Sequence, residues 1–413
     1  MADFKAFYSL RPTAEKASLV AALPYDVVNR KEAKAIGDEN PDSFLHVDRA
    51  EMDLAPETDL YAPVVYQKAR ENLDRLEENG ILVQDSTPGY YLYELTRLGK
   101  VQTGIVGCSA IDDYLEGTIK KHELTREDKE QDRIRHVDVC DANTGPIYLA
   151  AEFPADLKKW SQDWKEDHEA YCDFLTEDSV RQRVWVVDEP EAVSFVQKQF
   201  AGMPSLYIAD GHHRAASAVK VGLKRREEYP DHTGQEEFNY FLTVVFPYDE
   251  LTILAYNRVV SDLNGNTPED FLKKLTECFA VCEADSACQP VEKHSIGMYM
   301  AGEWYELKVR PEVYDGLDVV GQLDVSILQE RVLSPLLGIG DPRTDQRISF
   351  VGGSHGLDEL AALADKTGGV SFAMFPTAME DLMKIADEGK LMPPKSTWFE
   401  PKLRSGLFIH KLR

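Results

Sequence analysis

The segment from Leu206 to Lys220 constrains the fold more than any other part of this chain. Leu206-Tyr207-Ile208-Ala209 is a short apolar run of strand length, and Asp210-Gly211-His212-His213-Arg214 is polar. The following Ala215-Ala216-Ser217-Ala218-Val219-Lys220 consists mainly of helix formers. Strand, polar loop and helix in that order predict a mixed architecture, in which the strand lies in a sheet and the helix packs on it.

The rest of the chain agrees with an α+β fold. With 413 residues, a prior of about 150 residues per domain gives two or three domains. Ala21 to Val28 reads as a strand ending in a turn, and a helix from Lys31 would stop at Asn40-Pro41. Helical spacing of Leu and Val runs from Asp59 to Asn79, with Gly80 at the C-cap. Tyr90 to Leu95 and Gly104 to Ala110 form a hairpin pattern. Thr125 is placed to cap a short helix whose third position is Asp128. Ala155 to Leu175 reads as a helix, Val184 to Val187 as a strand and Glu191 to Phe200 as a helix. Phe241 to Phe246 and Leu251 to Val260 are strands around Pro247-Tyr248-Asp249-Glu250. Beyond Asp262 a helix from Pro268, a strand pair around Gly302 and a helix from Val325 to Leu337 predict a second, smaller α+β region. The expected division is 1–262 and 263–413, with the proline-rich stretch after Met392 crossing back over the body.

Charge excludes several partners. The 46 basic and 72 acidic residues give a net charge of −26. Such a field repels nucleic acid and anionic membranes, and Lys224-Arg225-Arg226, followed by Glu227-Glu228, reads as a solvated helix face. No stretch has the pattern of a secretory signal or the length of a membrane span, so a cytoplasmic location is expected. The six cysteines form no CxxC pair and read as reduced thiols that mostly fill the core; Cys278 and Cys282 are spaced for one helix face.

The chemistry concentrates at Asp210 to Arg214. A helix N-terminus offers N–H groups and the positive end of the dipole, and Gly211 lets a phosphate approach the backbone. Arg214 adds a planar fork for phosphate oxygens. His212 and His213 can donate hydrogen bonds or shuttle protons, but as neighbours they point apart and do not serve one metal. Asp210 can take a proton from a hydroxyl or hold Mg²⁺. The competing reading is a helix start capped by Asp210 with exposed histidines. Glu123, beside His122 in a charge-dense stretch that also holds Asp128, Asp132, Arg133 and Arg135, is a second candidate base or Mg²⁺ ligand. Asn143-Thr144-Gly145-Pro146 reads as a simple turn. Asp26, in Pro24-Tyr25-Asp26-Val27-Val28, is a third candidate catalytic carboxylate, and it and Glu123 are expected to converge on the cleft of Arg214. Gly352-Gly353-Ser354-His355 resembles a phosphate loop only loosely. GxxxxGK[ST], GxGxxG and GxSxG elements are absent.

Ile208 to Arg214, together with Pro24 to Val28, His122-Glu123-Leu124-Thr125 and the tail Met392-Pro393-Pro394-Lys395-Ser396-Thr397, resembles the domain of unknown function 1015 family over nearly the whole chain. The resemblance implies a ParB/sulfiredoxin-like N-terminal core, in a superfamily that binds nucleotide phosphates on such a loop. A cousin class with an Asp-Gly-His-x-Arg loop is the ADP-dependent free serine kinases. By resemblance, Gly211, His212, His213 and Arg214 would hold the phosphates of ADP or ATP, and Glu123 would be the acidic catalyst. The acidic balance departs from a DNA partition protein, and His-His-Arg replaces the Cys-His-Arg of sulfiredoxin, removing that nucleophile. The expected function is a nucleotide-dependent, Mg²⁺-assisted phosphotransferase acting on a small hydroxylated metabolite such as free serine, with Asp210, Glu123, His122 and Asp26 as catalytic candidates. The alternatives are a phosphatase or nucleotide hydrolase, and a non-catalytic nucleotide-binding regulator.

Overall fold

A computed structural model describes all 413 residues. The fold is α+β, and the chain divides into two compact units. One comprises Met1–Leu251 with Pro401–Arg413, the other Thr252–Glu400. This differs from the expected division at residue 262 in two places. Residues 252–260 pair with strands of the second unit, and the tail ends in a strand of the first.

The first unit is built on a nine-stranded mixed sheet. Its strand Leu206–Asp210 runs parallel to Ile119–Lys120 and antiparallel to Ile147–Ala151. Next come Tyr240–Pro247, Lys100–Ala110, Tyr90–Arg97, Arg181–Val187 and Cys172–Leu175. The expected hairpin of residues 90–110 is present, and its Tyr90, Leu92 and Ile105 are buried in one apolar cluster with Ile208, Ala215 and Phe200. That cluster fixes the helix His212–Glu228 against the sheet. A smaller sheet of Leu82–Gln84, Ser9–Pro12, Ile409–Lys411 and Ala142–Asn143 covers a second cluster around Phe44, Leu73 and Ile409.

Several local expectations are corrected. Residues 21–28 are not a strand: a helical turn at Ala17–Val20 leads into a loop held by a single bridge from Ala22 to Ser405. The short helix expected after Thr125 spans Glu127–Cys140, with Arg126 at its N-cap, because Thr125 Oγ1 donates to Glu130 at 2.7 Å instead of capping. The helix from Ala155 ends at Asp167, and Cys172–Leu175 is an edge strand paired with Arg181–Val187. Arg225 is buried and ion-paired with Asp138 at 2.8 Å, so its helix face is not simply solvated.

The second unit holds a six-stranded antiparallel sheet in the order Phe279–Ala284, Glu303–Val309, Ser295–Met300, Val370–Ala373, Tyr256–Val260 and Ile348–Gly352. The helix expected over Val325 to Leu337 is a short α-helix, Asp324–Leu328, that widens into a π-helical turn at Gln329–Leu333. Gly352 and Gly353 serve packing. A Cβ would come within 2.9 Å of the Trp398 ring at the first and 2.7 Å of the Ala255 carbonyl at the second. All six cysteines are free thiols, and Cys108, Cys140 and Cys172 are buried. Cys282 lies in the strand Phe279–Ala284 and Cys278 precedes it, so they share no helix face. No helix is long and apolar enough to cross a membrane.

Candidate functional site

The strand Leu206–Asp210 loses register with Ile147–Ala151 between Ile208 and Asp210. A bulge of this kind re-aims the side chain that follows it. Gly211 then takes φ 94°, ψ 29°, a left-handed conformation that favours glycine, and a Cβ there would lie 3.2 Å from Arg214 Nε. The helix begins at once with His212, three residues earlier than its alanines suggest, and carries no side-chain cap. The first N–H groups of a helix have no intrahelical acceptor, and here no side chain caps them. Asp210 is not the cap. Its Oδ1 accepts from the Gly211 N–H at 2.8 Å, and its Oδ2 pairs with Lys402 Nζ at 2.9 Å. Burial alone would raise its pKa. Lys402 and Arg214 outweigh that and hold it well below the usual carboxylate range.

The two histidines diverge as expected. His213 Nε2 accepts from the Arg126 N–H at 3.0 Å, which places the proton of the neutral ring on Nδ1. His212 is buried and packs edge-on against His122, ring centroids 4.5 Å apart. Burial pushes His122 down to about 4 against the weaker pull of Asp210, and pushes His212 well below the ordinary histidine value. Both rings are therefore neutral at pH 7. His212 Nδ1 lies 3.9 Å from Glu123 Oε2, so Glu123 stands beside the loop while His122 lies beneath it.

Arg214 reaches in the other direction. Its Nη1 donates to the Pro146 carbonyl at 2.6 Å, so Asn143 to Pro146 is part of the site and not only a turn. Arg214 lines a small cavity of about 30 Å³ with Tyr25, Asp48, Arg133, Thr144 and Ser405. Tyr25, Asp48, Arg133 and His136 also line a neighbouring cavity of about 70 Å³, beside Arg49 and Lys129. Arg133 is 8% exposed, pairs with Asp132 at 2.8 Å and stacks 4.0 Å from the Tyr25 ring centre. Tyr25 rises to about 12, because its burial outweighs the opposing Arg133 and Arg214 charges.

Among the residues expected at the site, Asp210 to Arg214, Glu123 and His122 come together. Asp26 is exposed on its turn, and its neighbour Tyr25 lines both cavities. Arg133, Asp48 and Thr144, whose Oγ1 donates to Asp48 at 2.9 Å, were given no role from sequence. The signal for Arg133 was its place next to the carboxylate of Asp132 in the charge-dense stretch that follows Glu123. Lys402 occupies the outer oxygen of Asp210 and supplies the positive charge, and no group of three or more His, Cys, Asp or Glu side chains gathers to hold a metal.

The chain belongs to the family described as protein of unknown function DUF1015, whose profile matches residues 4–326. No curated protein matches the sequence. Among solved structures, a free serine kinase in complex with AMP is 14% identical, with 72% of this chain and 86% of that one covered and a TM-score of 0.36. A conserved hypothetical protein from Pyrococcus furiosus is likewise 14% identical, covering 74% of this chain and 94% of that one, TM-score 0.36. SbnI with C-terminal truncation, from Staphylococcus aureus, is 12% identical over 73% of this chain and 85% of that one, TM-score 0.35.

Proposed function

We propose that the first unit binds the phosphates of ADP or ATP at Gly211 to Arg214 and transfers a phosphoryl group to a small hydroxylated metabolite, free serine being the foremost candidate. The observation that carries this reading is the left-handed Gly211 opening an uncapped helix beside the Arg214 fork. Backbone N–H groups and a guanidinium there favour phosphate oxygens. Cavities as small as those around Tyr25 and Arg133 suit a small acceptor better than a polymer.

In this reading the acceptor oxygen attacks the terminal phosphorus while the bond to the nucleotide's leaving oxygen breaks, and the hydroxyl proton passes to Glu123. Asp210 is a poor base because Lys402 and Arg214 hold its carboxylate ionised. Its part is to orient Gly211 N–H and Lys402. Neutral His212 packs against Glu123 and limits where that carboxylate can point. Positioning and charge stabilisation supply most of such catalysis.

Phosphorus NMR of the full chain with ADP or ATP and serine tests the reading. Phosphoserine formed with nucleotide consumption, and lost in Glu123→Gln, is the expected result. Inorganic phosphate alone means hydrolysis, and nucleotide binding without turnover means a sensor. Failure to bind either nucleotide removes the phosphate-loop reading altogether.

A further inference from the structure

The second unit contains a buried charge that nothing in the chain balances. Arg258 sits in the strand Tyr256–Val260 and is 3% exposed. Its Nη2 donates to the Lys395 carbonyl at 3.0 Å and Nη1 donates to the Tyr256 carbonyl. The Phe350 ring centre lies 5.4 Å from the guanidinium carbon. These partners are dipoles and a π-face, and Arg258 has no carboxylate partner. Burial pulls its pKa down to about 10, opposed only by Tyr256. A buried cation is costly unless a counter-charge stands beside it.

Arg258 lines a cavity of about 450 Å³, which falls in the range of small-molecule sites. One wall is the π-helical turn Gln329–Leu333, a distortion that recurs at functional sites. Gln329 Nε2 ties that turn to the Ile339 carbonyl at 2.8 Å, which fixes the cavity's rim. Phe350, Leu333 and the prolines 342, 393 and 394 supply the apolar part of the walls. Asp341 and Arg343 pair with each other at 2.8 Å and cancel. The exposed Glu330 adds one negative charge at the rim.

We propose that this cavity binds a small organic monocarboxylate, its carboxylate on Arg258 and its apolar body against Phe350 and Leu333. The charge count selects the class. One guanidinium with both terminal nitrogens already donating to carbonyls leaves room for one monoanion, and Glu330 disfavours a dianion such as phosphate. The site lies wholly within the second unit, so it stands or falls apart from the phosphotransfer reading.

Calorimetric titration of the full chain with benzoate, phenylacetate and phenylpropanoate tests this, with their amides and inorganic phosphate as comparators. At least one carboxylate binds saturably at one per chain, its amide at least about tenfold more weakly, as expected for loss of one charge-assisted contact. Arg258→Met abolishes the binding and Arg258→Lys restores part of it. Glu330→Gln tightens it. Ser334→Trp keeps Arg258 but fills the cavity, and it also abolishes binding; it decides the matter if Arg258→Met folds poorly. The proposal is overturned if no carboxylate binds, if amide and acid bind alike, if phosphate binds in preference, or if Ser334→Trp binds as the wild type does.

Discussion

Arg133 in the first unit and Arg258 in the second are both buried arginines that line cavities and stack on aromatic rings, yet their surroundings are opposite. Burial acts to lower both. Around Arg133, Asp132 foremost, then Tyr25 and Asp48, reverse that and raise its pKa above the ordinary arginine value. Around Arg258 nothing reverses it. The lesson concerns completeness. A buried charge with its counter-ion built in is part of the scaffold and can lend its field to a neighbouring site. One without it is where the carboxylate proposed above would complete the pair.

The comparison breaks most visibly in stability. Asp132→Asn removes the ion-pair partner of buried Arg133, leaving only the weaker pull of Asp48 and Tyr25, and should cost about 3–5 kcal/mol. Arg258→Met removes donors from two carbonyls and should cost only about 1–3 kcal/mol. Urea unfolding of both variants measures this, and equal losses would mean that the two arginines are not different in kind. The next effect is on binding. Arg214→Ala should weaken nucleotide affinity about ten- to a hundredfold, and Arg214→Lys should recover part, since lysine lacks the planar fork. Because Arg214 also donates to the Pro146 carbonyl, a modest drop in melting temperature accompanies the loss. Unchanged affinity in Arg214→Ala would leave the loop as a helix start and nothing more.

The smallest effect tests the buried neutral pair His122 and His212. His122 is held at about 4 from an ordinary 6.5. A depressed histidine contributes stability that is fully present above its unfolded value and lost as pH falls toward its folded value. Stability should therefore decline from about pH 6.5 down to about 4. His122→Phe should remove roughly 1 kcal/mol of that decline near pH 5.5, because one pKa unit is worth about 1.4 kcal/mol. Melting curves across that range check it; an identical slope in the variant sinks the assignment.

Much of this was legible in the sequence. The run Leu206 to Ala209 followed by Asp210 to Arg214 placed the loop on a strand-to-helix turn, because apolar run length and helix propensity are local properties. The helix start at His212 was missed, since the left-handed Gly211 and the bulge before Asp210 are set by the neighbouring strand Ile147–Ala151. Glu123 was legible as a carboxylate beside a charged stretch, and its meeting with His212 confirms only proximity. The inward turn of Tyr25 beside Asp26 was not legible, because the apolar run read as a strand whereas the chain there is a loop. Lys402 was invisible, lying 192 residues from Asp210. Arg258 was hidden in the strand pattern, where nothing marks a charge as lacking a partner.

The chain leaves its first unit at Leu251 and returns only at Pro401. Lys402 then meets Asp210, and Ile409–Lys411 pairs with Ser9–Pro12 and with Ala142–Asn143. During synthesis, the strand Ser9–Pro12 waits for its partner Ile409–Lys411, and every residue of the second unit is made in between. The nascent first unit therefore carries Asp210 without its ammonium partner until Lys402 is made, and a chain cut short before that residue leaves the Asp210–Arg214 loop without that positive charge.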